Sequence, residues 1–530
     1  LYLFENKIDF FHFNYIKLDF FFQVSITEFI IFSDIPLTIS TQLEHLCHIN
    51  ISQKPTQHRK TSIICTIGPA CNTVQKLQEM IAKGMNIARL NFSHGSHELH
   101  AQTIQNIREA LRNENDMKDI AIALDTKGPE IRTGIIETGE MDEILLQSGN
   151  YVIVTTNDAY MSKCSLEMIY VDYKNIIKVI KKGSPIYIDN GLIMLLVKEI
   201  DGESIHCKIE NGGLLGSQKG VNLPDALINF PPVSEQDRKD IRFGVEMGID
   251  IIFASFIRNA DGIREIREIL GEKGKQIKII AKIENQQGVD NADEIIQEAD
   301  GIMVARGDLG IEIPAEKVFL AQKMLTAKCN IAGRTVICAT QMLESMINKP
   351  RPTRAEGSDV ANAVLDGADC VMLSDETAKG KYPIEALSTM HQLCKQAEMT
   401  IFYTKISEEL IRLTPKPTDH AQTIAIAANS AVQSCQAVAV ICVTVTGRAA
   451  TFISRFRPPV PIYAVCANRT IRRQLHLWRG ICPLHFEGIN TDWREDLYDR
   501  IQYAIKCGKK QQVIHDGDLL VIISRATHEK

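Results

Sequence analysis

Between residues 277 and 314 the chain places Lys282, Glu284 and Asp308 where two successive apolar runs give out. In the first run Ile280, Lys282 and Glu284 share one face of a strand, and Ile279, Ala281 and Ile283 share the other. The second run, 301–305, ends in Arg306-Gly307-Asp308. A lysine and two carboxylates on an inward face are costly unless a charged species sits between them. A divalent cation and a phosphate meet that need. Glu284 and Asp308 suit Mg²⁺ or Mn²⁺, which take carboxylates together with substrate oxygens. Asn91, Ser93, Asp125 and Thr126 form a second set of oxygens, better matched to a monovalent ion, while Arg89 and Lys282 are cations able to hold a phosphoryl group in transfer. Such transfer needs positioning and charge neutralisation more than covalent chemistry. The residues therefore point to metal-assisted phosphoryl or enolate chemistry; the plain alternative is a solvated Lys/Glu pair beside an ordinary loop aspartate. No G-x-x-x-x-G-K-[ST] loop, G-x-S-x-G elbow or H-E-x-x-H pair occurs.

These residues need a frame that brings strand ends together. From residue 62 apolar runs and amphipathic stretches alternate: strands at 62–67, 86–90 and 120–124, with helices at 74–83 and 97–113. From about 130 to 232 the helical period gives way to short β-branched runs at 151–156, 185–188, 192–200 and 204–209, punctuated by Asp189-Asn190-Gly191 and Asn211-Gly212-Gly213. The α/β rhythm then returns with strands at 250–255, 277–283, 301–305, 335–339 and 369–373. Three strands before the insert and five after it make the eight of a (β/α)8 barrel, whose chemistry sits at the carboxyl-terminal rim. Polar residues follow each strand: Arg89, Asp125, Ser255, Lys282, Asp308, Thr340 and Ser374 among them. A further open α/β unit has a helix at 422–434 and strands near 437–444, 461–465, 482–486 and 519–524; its first turn, Thr446-Gly447-Arg448, offers N–H groups to an anion.

The fold class is thus α/β. Residues 41–128 and 232–398 are read as the catalytic TIM barrel, 129–231 as an inserted all-β, barrel-like lid, and 399–530 as the C-terminal α/β domain. A chain of 530 residues is expected to split into about three domains. Its net charge of -6 argues against nucleic acid as a partner. Its 14 cysteines contain no Cys-x-x-Cys pair and read as reduced cytoplasmic thiols. Residues 1–40 are rich in Phe and Ile but broken by Lys and Asp, so neither a membrane span nor a secretory signal is expected. They are read as an extension outside the fold.

Eight long motifs then carry a resemblance: MNIARLNFSHG, LDTKGPEIRTG, KGVNLP, FASFIR, KIEN, MVARGDLGIEIP, ICATQMLESM and RPTRAEGSDVANAVLDGAD, in this order. The chain resembles pyruvate kinase of animal type from about residue 41 onward. The resemblance implies transfer of the phosphoryl group of phosphoenolpyruvate to ADP, giving pyruvate and ATP in the cytoplasm, with Mg²⁺ (or Mn²⁺) and K⁺ as cofactors and a homotetramer as the assembly. It further implies that Lys282 bridges the phosphoryl group in flight and that Arg89 contacts the phosphate. Glu284 and Asp308 would bind Mg²⁺, the N–H groups near Gly307 and Asp308 would hold the substrate carboxylate, and Asn91, Ser93, Asp125 and Thr126 would coordinate K⁺. Glu130 matches the residue tied to K⁺ dependence. Arg132, His94 and Lys219, with Asn91 and Ser93, would face the nucleotide, and Thr340 would relay the proton to the enolate carbon. Arg-Gly-Asp at 306–308 is not an adhesion motif in this setting.

The chain also departs from the family pattern. Asp375 stands where a glycine is usual, Asn190 replaces an aspartate of the lid turn, and Gln218 replaces a lysine. The effector loop, Thr-Lys-Ser-Gly-Arg-Ser in the family, reads Thr444-Val445-Thr446-Gly447-Arg448-Ala449, although Trp493 and Arg500 keep the spacing of the other effector contacts. The family's Gly-rich effector loop and final strand are not expected past residue 524. Activation by fructose 1,6-bisphosphate is therefore expected to be weak or lost. Two other functions compete: a divergent low-activity paralogue acting as a binding or assembly subunit, and a metal-dependent barrel aldolase or lyase.

Overall fold

The eight expected strands close on one another in a computed structural model that describes residues 2–4, 39–112, 119–224, 226, 230–488 and 492–524. In chain order the barrel strands are Ser62–Thr66, Ile87–Asn91, Ala121–Asp125, Ile251–Ala254, Lys278–Ile283, Gly301–Ala305, Thr335–Ala339 and Cys370–Leu373, all parallel. Inward residues such as Ile64, Ile87, Ala123, Phe253, Ile280 and Met303 fill the barrel. Ile279, Ala281 and Ile283 face the helices, so the two-residue period read from sequence holds and carries Lys282 and Glu284 up the inner wall. Helix Val74–Lys83 starts at a Thr73 cap and stops at Gly84, whose φ of 108° suits glycine. Helix Arg354–Asp366 opens on a Thr353/Glu356 capping box.

The insert forms a seven-stranded sheet in the order Ile131–Arg132, Gly220–Asn222, Pro185–Ile188, Ile193–Asp201, Ser204–Asn211, Tyr151–Thr155 and Met168–Tyr170, with a separate pair, Glu143–Leu146 and Gly213–Gly216. The sheet curls until its edges meet through isolated bridges, Thr133 with Val171 and, just beyond, Ile136 with Cys164. Alternate residues of Ile193–Asp201 point into its core with Val154, Ile188 and Ile205. The turn Asp189-Asn190-Gly191 is left-handed at all three residues (φ 54°, 55° and 82°). Asparagine tolerates that conformation well, so the change at Asn190 costs the turn nothing.

The C-terminal unit carries strands Ala439–Val443, Ile462–Cys466, Ile481–His485 and Leu520–Ile523 in a parallel sheet. Its fifth strand corrects an expectation. Tyr2–Phe4, read as lying outside the fold, pairs antiparallel with Leu520–Ile522. The edge of Leu520–Ile523 would otherwise present unpaired N–H and C=O groups, and a short segment from the other end of the chain satisfies some of them. Residues 5–38 lie outside the described part.

This unit plugs the amino-terminal end of the barrel. Leu477 joins the inner barrel cluster, Gln474 donates to the carbonyls of Asp250 (3.0 Å) and Gln276 (2.6 Å), and Arg473 pairs with Asp250 at 2.8 Å. His476 sits in the same junction, 2.9 Å from the Asp119 carbonyl. Burial, together with Arg472 and Arg59 nearby, pushes its pKa down to about 4. An unfolded histidine titrates near 6.5, so below that pH the unfolded chain takes a proton the folded chain refuses. His476 thus draws stability down as pH falls from 6.5 toward 4, by up to about 2 kcal/mol at pH 5. A His476→Asn variant should lose less of its thermal midpoint between pH 7 and pH 5 than the unaltered protein; equal losses would sink the assignment.

Candidate active site

At the carboxyl-terminal rim, three strand ends from distant parts of the chain meet on Lys282. Its ammonium lies 3.1 Å from Asp125 Oδ1, 3.0 Å from Glu284 Oε1 and 2.7 Å from Ser255 Oγ. Burial works against its charge, but Asp125 and Glu284 outweigh it and hold the pKa above the usual lysine value. Arg89 donates to the other oxygen of Asp125 (2.6 Å) and to Thr66 Oγ1 (3.0 Å). Asp125 is fully buried and stays ionised because Arg89 and Lys282 together exceed the penalty of burying it. It is the anionic floor on which two cations are fixed.

Glu284 and Asp308 face the opposite problem. Burial pushes both carboxyls up; Lys282 opposes this, while the Asp308 charge raises Glu284 further and Glu130 and Glu312 raise Asp308. Glu284 Oε2 accepts from the Phe256 N–H at 2.6 Å. Its Oε1, beside the Lys282 ammonium, is buried and accepts no hydrogen bond. A buried carboxylate, Glu284, beside a half-buried one, Asp308, fits a divalent cation, which would remove the repulsion that raises their pKa values.

These groups open onto a cavity of about 540 Å³ roofed by the inserted domain. Of the expected site residues, Arg89, Asn91, Ser93, His94, Arg132, Lys219, Lys282, Glu284 and Asp308 line it. The expected K⁺ set is split. Asn91 and Ser93 are on the wall, with Asn91 Oδ1 accepting from the Ser93 N–H at 3.2 Å. Asp125 lies beneath and is engaged by Arg89 and Lys282, and Thr126 Oγ1 accepts from the Ser255 N–H at 3.0 Å. On the nucleotide side Arg132 donates to the Gln218 carbonyl (2.8 Å) and pairs with Glu130, and Lys219 pairs with Asp189 at 3.0 Å. The His94 pKa is lowered by burial and by Lys379 and Arg132. Gly307 and Thr340 stand just behind the wall against each other: a Cβ on Gly307 would lie 2.8 Å from Thr340 Cγ2. Gly307→Ala should therefore displace Thr340 or Asp308 and lower kcat about tenfold with little change in thermal midpoint. Steady-state kinetics decide it, and an unchanged kcat would refute the packing argument.

Several participants carried no sequence signal of their role, although Phe256 and Arg258 sit in the FASFIR motif. Thr66 holds Arg89, and Phe256 (φ 54°) offers its N–H to Glu284 from a strained backbone. Arg258 lines the cavity over the Phe230 ring. A polar residue after a strand end is visible in sequence; the partner it meets across the rim is not. Asp375 is accommodated: its φ is not positive and its side chain pairs with Lys379 at 3.5 Å. In the effector region Thr444 Oγ1 accepts from the Gly447 N–H (3.0 Å), Arg448 lies 3.6 Å from Asp419, Arg500 pairs with Asp496 at 2.7 Å, and Trp493 opens helix Trp493–Lys510.

What the cavity supplies is cationic charge beside paired carboxylates, under a roof, at the rim of a barrel. That chemistry belongs to phosphotransferases built on a (β/α)8 barrel. Residues 58–387 match the family model described as pyruvate kinase, barrel domain, and residues 422–530 the one described as pyruvate kinase, alpha/beta domain. Pyruvate kinase PKLR of Homo sapiens is 52% identical over 489 residues, 91% of this chain and 85% of that protein. The pyruvate kinases of Agaricus bisporus and Schizosaccharomyces pombe are 48% and 49% identical, over 92% and 90% of this chain and 93% and 94% of theirs. The chain belongs to the pyruvate kinase family. It is a phosphotransferase of glycolysis that acts on phosphoenolpyruvate and ADP and yields pyruvate and ATP.

Proposed function

We propose that the residues at the rim divide the reaction as follows, the carrying observation being the Lys282 ammonium held 3.1 Å from Asp125 and 3.0 Å from Glu284 at the cavity floor. Lys282 and Arg89 hold the phosphoryl group as its ester bond to the enol oxygen breaks. Both are fixed in advance by Asp125, so their charge needs no reorganisation. The N–H groups of Gly307 and Asp308 hold the substrate carboxylate. Arg132, Lys219 and His94 take the nucleotide, with Asn91 and Ser93 beside them, and the inserted domain closes to exclude water. Thr340 passes a proton to the enolate carbon, which becomes the methyl group of pyruvate.

Glu284 and Asp308 hold Mg²⁺ or Mn²⁺, which when bound neutralises charge on the phosphoryl and enolate oxygens. Asn91 and Ser93 on the cavity wall, with Asp125 and Thr126 beneath them, would hold K⁺. The enzyme acts in the cytoplasm as a homotetramer without nucleic-acid or membrane partners; among the described residues no helix is long and apolar enough to cross a membrane. Activation by fructose 1,6-bisphosphate is weak or absent, because Val445 and Ala449 replace a cation and a hydroxyl, and Arg448 and Arg500 already face Asp419 and Asp496.

A lactate-dehydrogenase-coupled assay with Mg²⁺ and K⁺ tests the assignment. NADH oxidation that depends on both ions and on ADP is expected; background rates alone would favour a binding or assembly subunit. In the same assay, sigmoidal phosphoenolpyruvate curves made hyperbolic by micromolar fructose 1,6-bisphosphate would refute the reading of the effector loop.

A further inference from the structure

The turn after strand Thr335–Ala339 is held in a conformation its residues do not choose. Thr340 has φ 76° and Gln341 φ 54°. A β-branched residue in the left-handed region is an outlier that persists only where its surroundings impose it. Here one side chain grips the turn's carbonyls. Arg306 Nε and Nη2 donate to the Thr340 carbonyl at 3.2 and 2.8 Å, and Nη2 reaches the Gln341 carbonyl at 3.4 Å. The third nitrogen, Nη1, donates to Asp359 Oδ1 at 2.7 Å and to Gln322 Oε1 at 3.3 Å, which fixes the plane of the guanidinium. Arg306 opens the short helix Arg306–Glu312 that carries Gly307 and Asp308, and Thr340 packs on Gly307. All three guanidinium nitrogens of Arg306 are committed to these protein acceptors.

We propose that Arg306 is a positioning residue for protonation of the enolate: its fork locks the strained Thr340–Gln341 turn and holds the Thr340 side chain against Gly307, next in the chain to Asp308. The inference rests on the proton-relay reading of Thr340. In that step a new C–H bond forms at the methylene carbon of enolpyruvate while the hydroxyl gives up one proton and takes another from water. Without the fork the turn relaxes toward negative φ and the hydroxyl moves off the line of transfer. Phosphoryl transfer at Lys282 and cation binding at Glu284 and Asp308 use other atoms.

The test compares Arg306→Met, Arg306→Lys, Asp359→Asn and Thr340→Val. Deuterium uptake into the pyruvate methyl group is followed by proton NMR with Mg²⁺, K⁺ and ATP, beside kcat, KM for phosphoenolpyruvate and Mn²⁺ affinity. Arg306→Met should slow methyl exchange and kcat about 100-fold, with KM and Mn²⁺ affinity within about twofold of the unaltered protein. Arg306→Lys, which lacks the planar fork, should fall between, and Asp359→Asn should slow exchange about fivefold while keeping Arg306 in place. If Thr340→Val loses exchange while the Arg306 and Asp359 variants keep it, the clamp is overturned and the role of Thr340 stands. If Thr340→Val exchanges normally, the Thr340 reading falls and the clamp with it. Loss of Mn²⁺ affinity in step with exchange would show a general support of the helix instead and also overturn the proposal. Should Arg306→Met fail to fold, Arg306→Lys and Asp359→Asn decide alone.

Discussion

Lys282→Met should lower kcat by about 10³-fold or more while the protein remains folded. Methionine keeps the length and most of the volume of the side chain but removes the one ammonium shared by Asp125, Glu284 and Ser255. The phosphoryl group in flight would then be left with Arg89. The loss also reaches the carboxylates: Lys282 opposes the burial that raises both Glu284 and Asp308, so removing it raises them further. The Mn²⁺ affinity of the variant should consequently fall more steeply than that of the unaltered protein as pH is lowered, because protons and cation compete for the same oxygens. Removing one partner of a buried ion pair is itself destabilising by roughly 3–5 kcal/mol. Circular dichroism at the assay temperature must therefore accompany the kinetics, and Lys282→Arg, which keeps the charge, provides a second variant. A folded Lys282→Met protein with kcat within tenfold of the unaltered enzyme would refute the role.

The frame of this site was legible because its period is local. Strands 301–305 and 335–339 and helix 74–83 fall where the sequence pattern puts them, and the inward parity of Ile280, Lys282 and Glu284 follows from a two-residue alternation that burial enforces. Other boundaries slip by a residue or two, since a strand's last polar residue either joins the ladder or begins the turn. What the pattern could not carry is which strand ends touch. Asp125 and Lys282 are 157 residues apart, and nothing local says that one carboxylate anchors both Arg89 and Lys282. Closure of the barrel decides that. It also explains the split of the oxygen set at 91, 93, 125 and 126: as types they look alike, yet Asp125 and Thr126 are turned beneath the floor while Asn91 and Ser93 face the cavity. The pairing of Tyr2–Phe4 with Leu520–Ile522 was equally invisible, being a contact between opposite ends of the chain. Arg306 looked like part of a motif, and only the geometry of its fork shows what it grips.

Asp369→Ala should cost roughly 3–5 kcal/mol of stability and several degrees of thermal midpoint, with kcat at 25 °C kept within a few fold. In the sequence Asp369 is merely the first residue of an expected strand. In the structure it is 2% exposed and uses both oxygens at the junction between the barrel and the C-terminal unit. Oδ2 accepts from the Val336 N–H (3.0 Å) and Arg457 Nη2 (3.2 Å), while Oδ1 accepts from the Arg479 N–H (3.1 Å) and from Arg457 Nη1. Alanine would leave two backbone donors and a buried guanidinium without their acceptor, and Arg457, itself at φ 53°, keeps only the Asn330 side chain and the Gly367 carbonyl. Asp369→Asn removes the charge but retains an acceptor, so it should fall between alanine and the unaltered chain. Because the junction lies at the opposite end of the barrel from Lys282, catalysis below the midpoint should survive. A drop in midpoint of less than about one degree for Asp369→Ala would show that the junction is held by the Leu477 plug and its apolar neighbours and not by this ion pair.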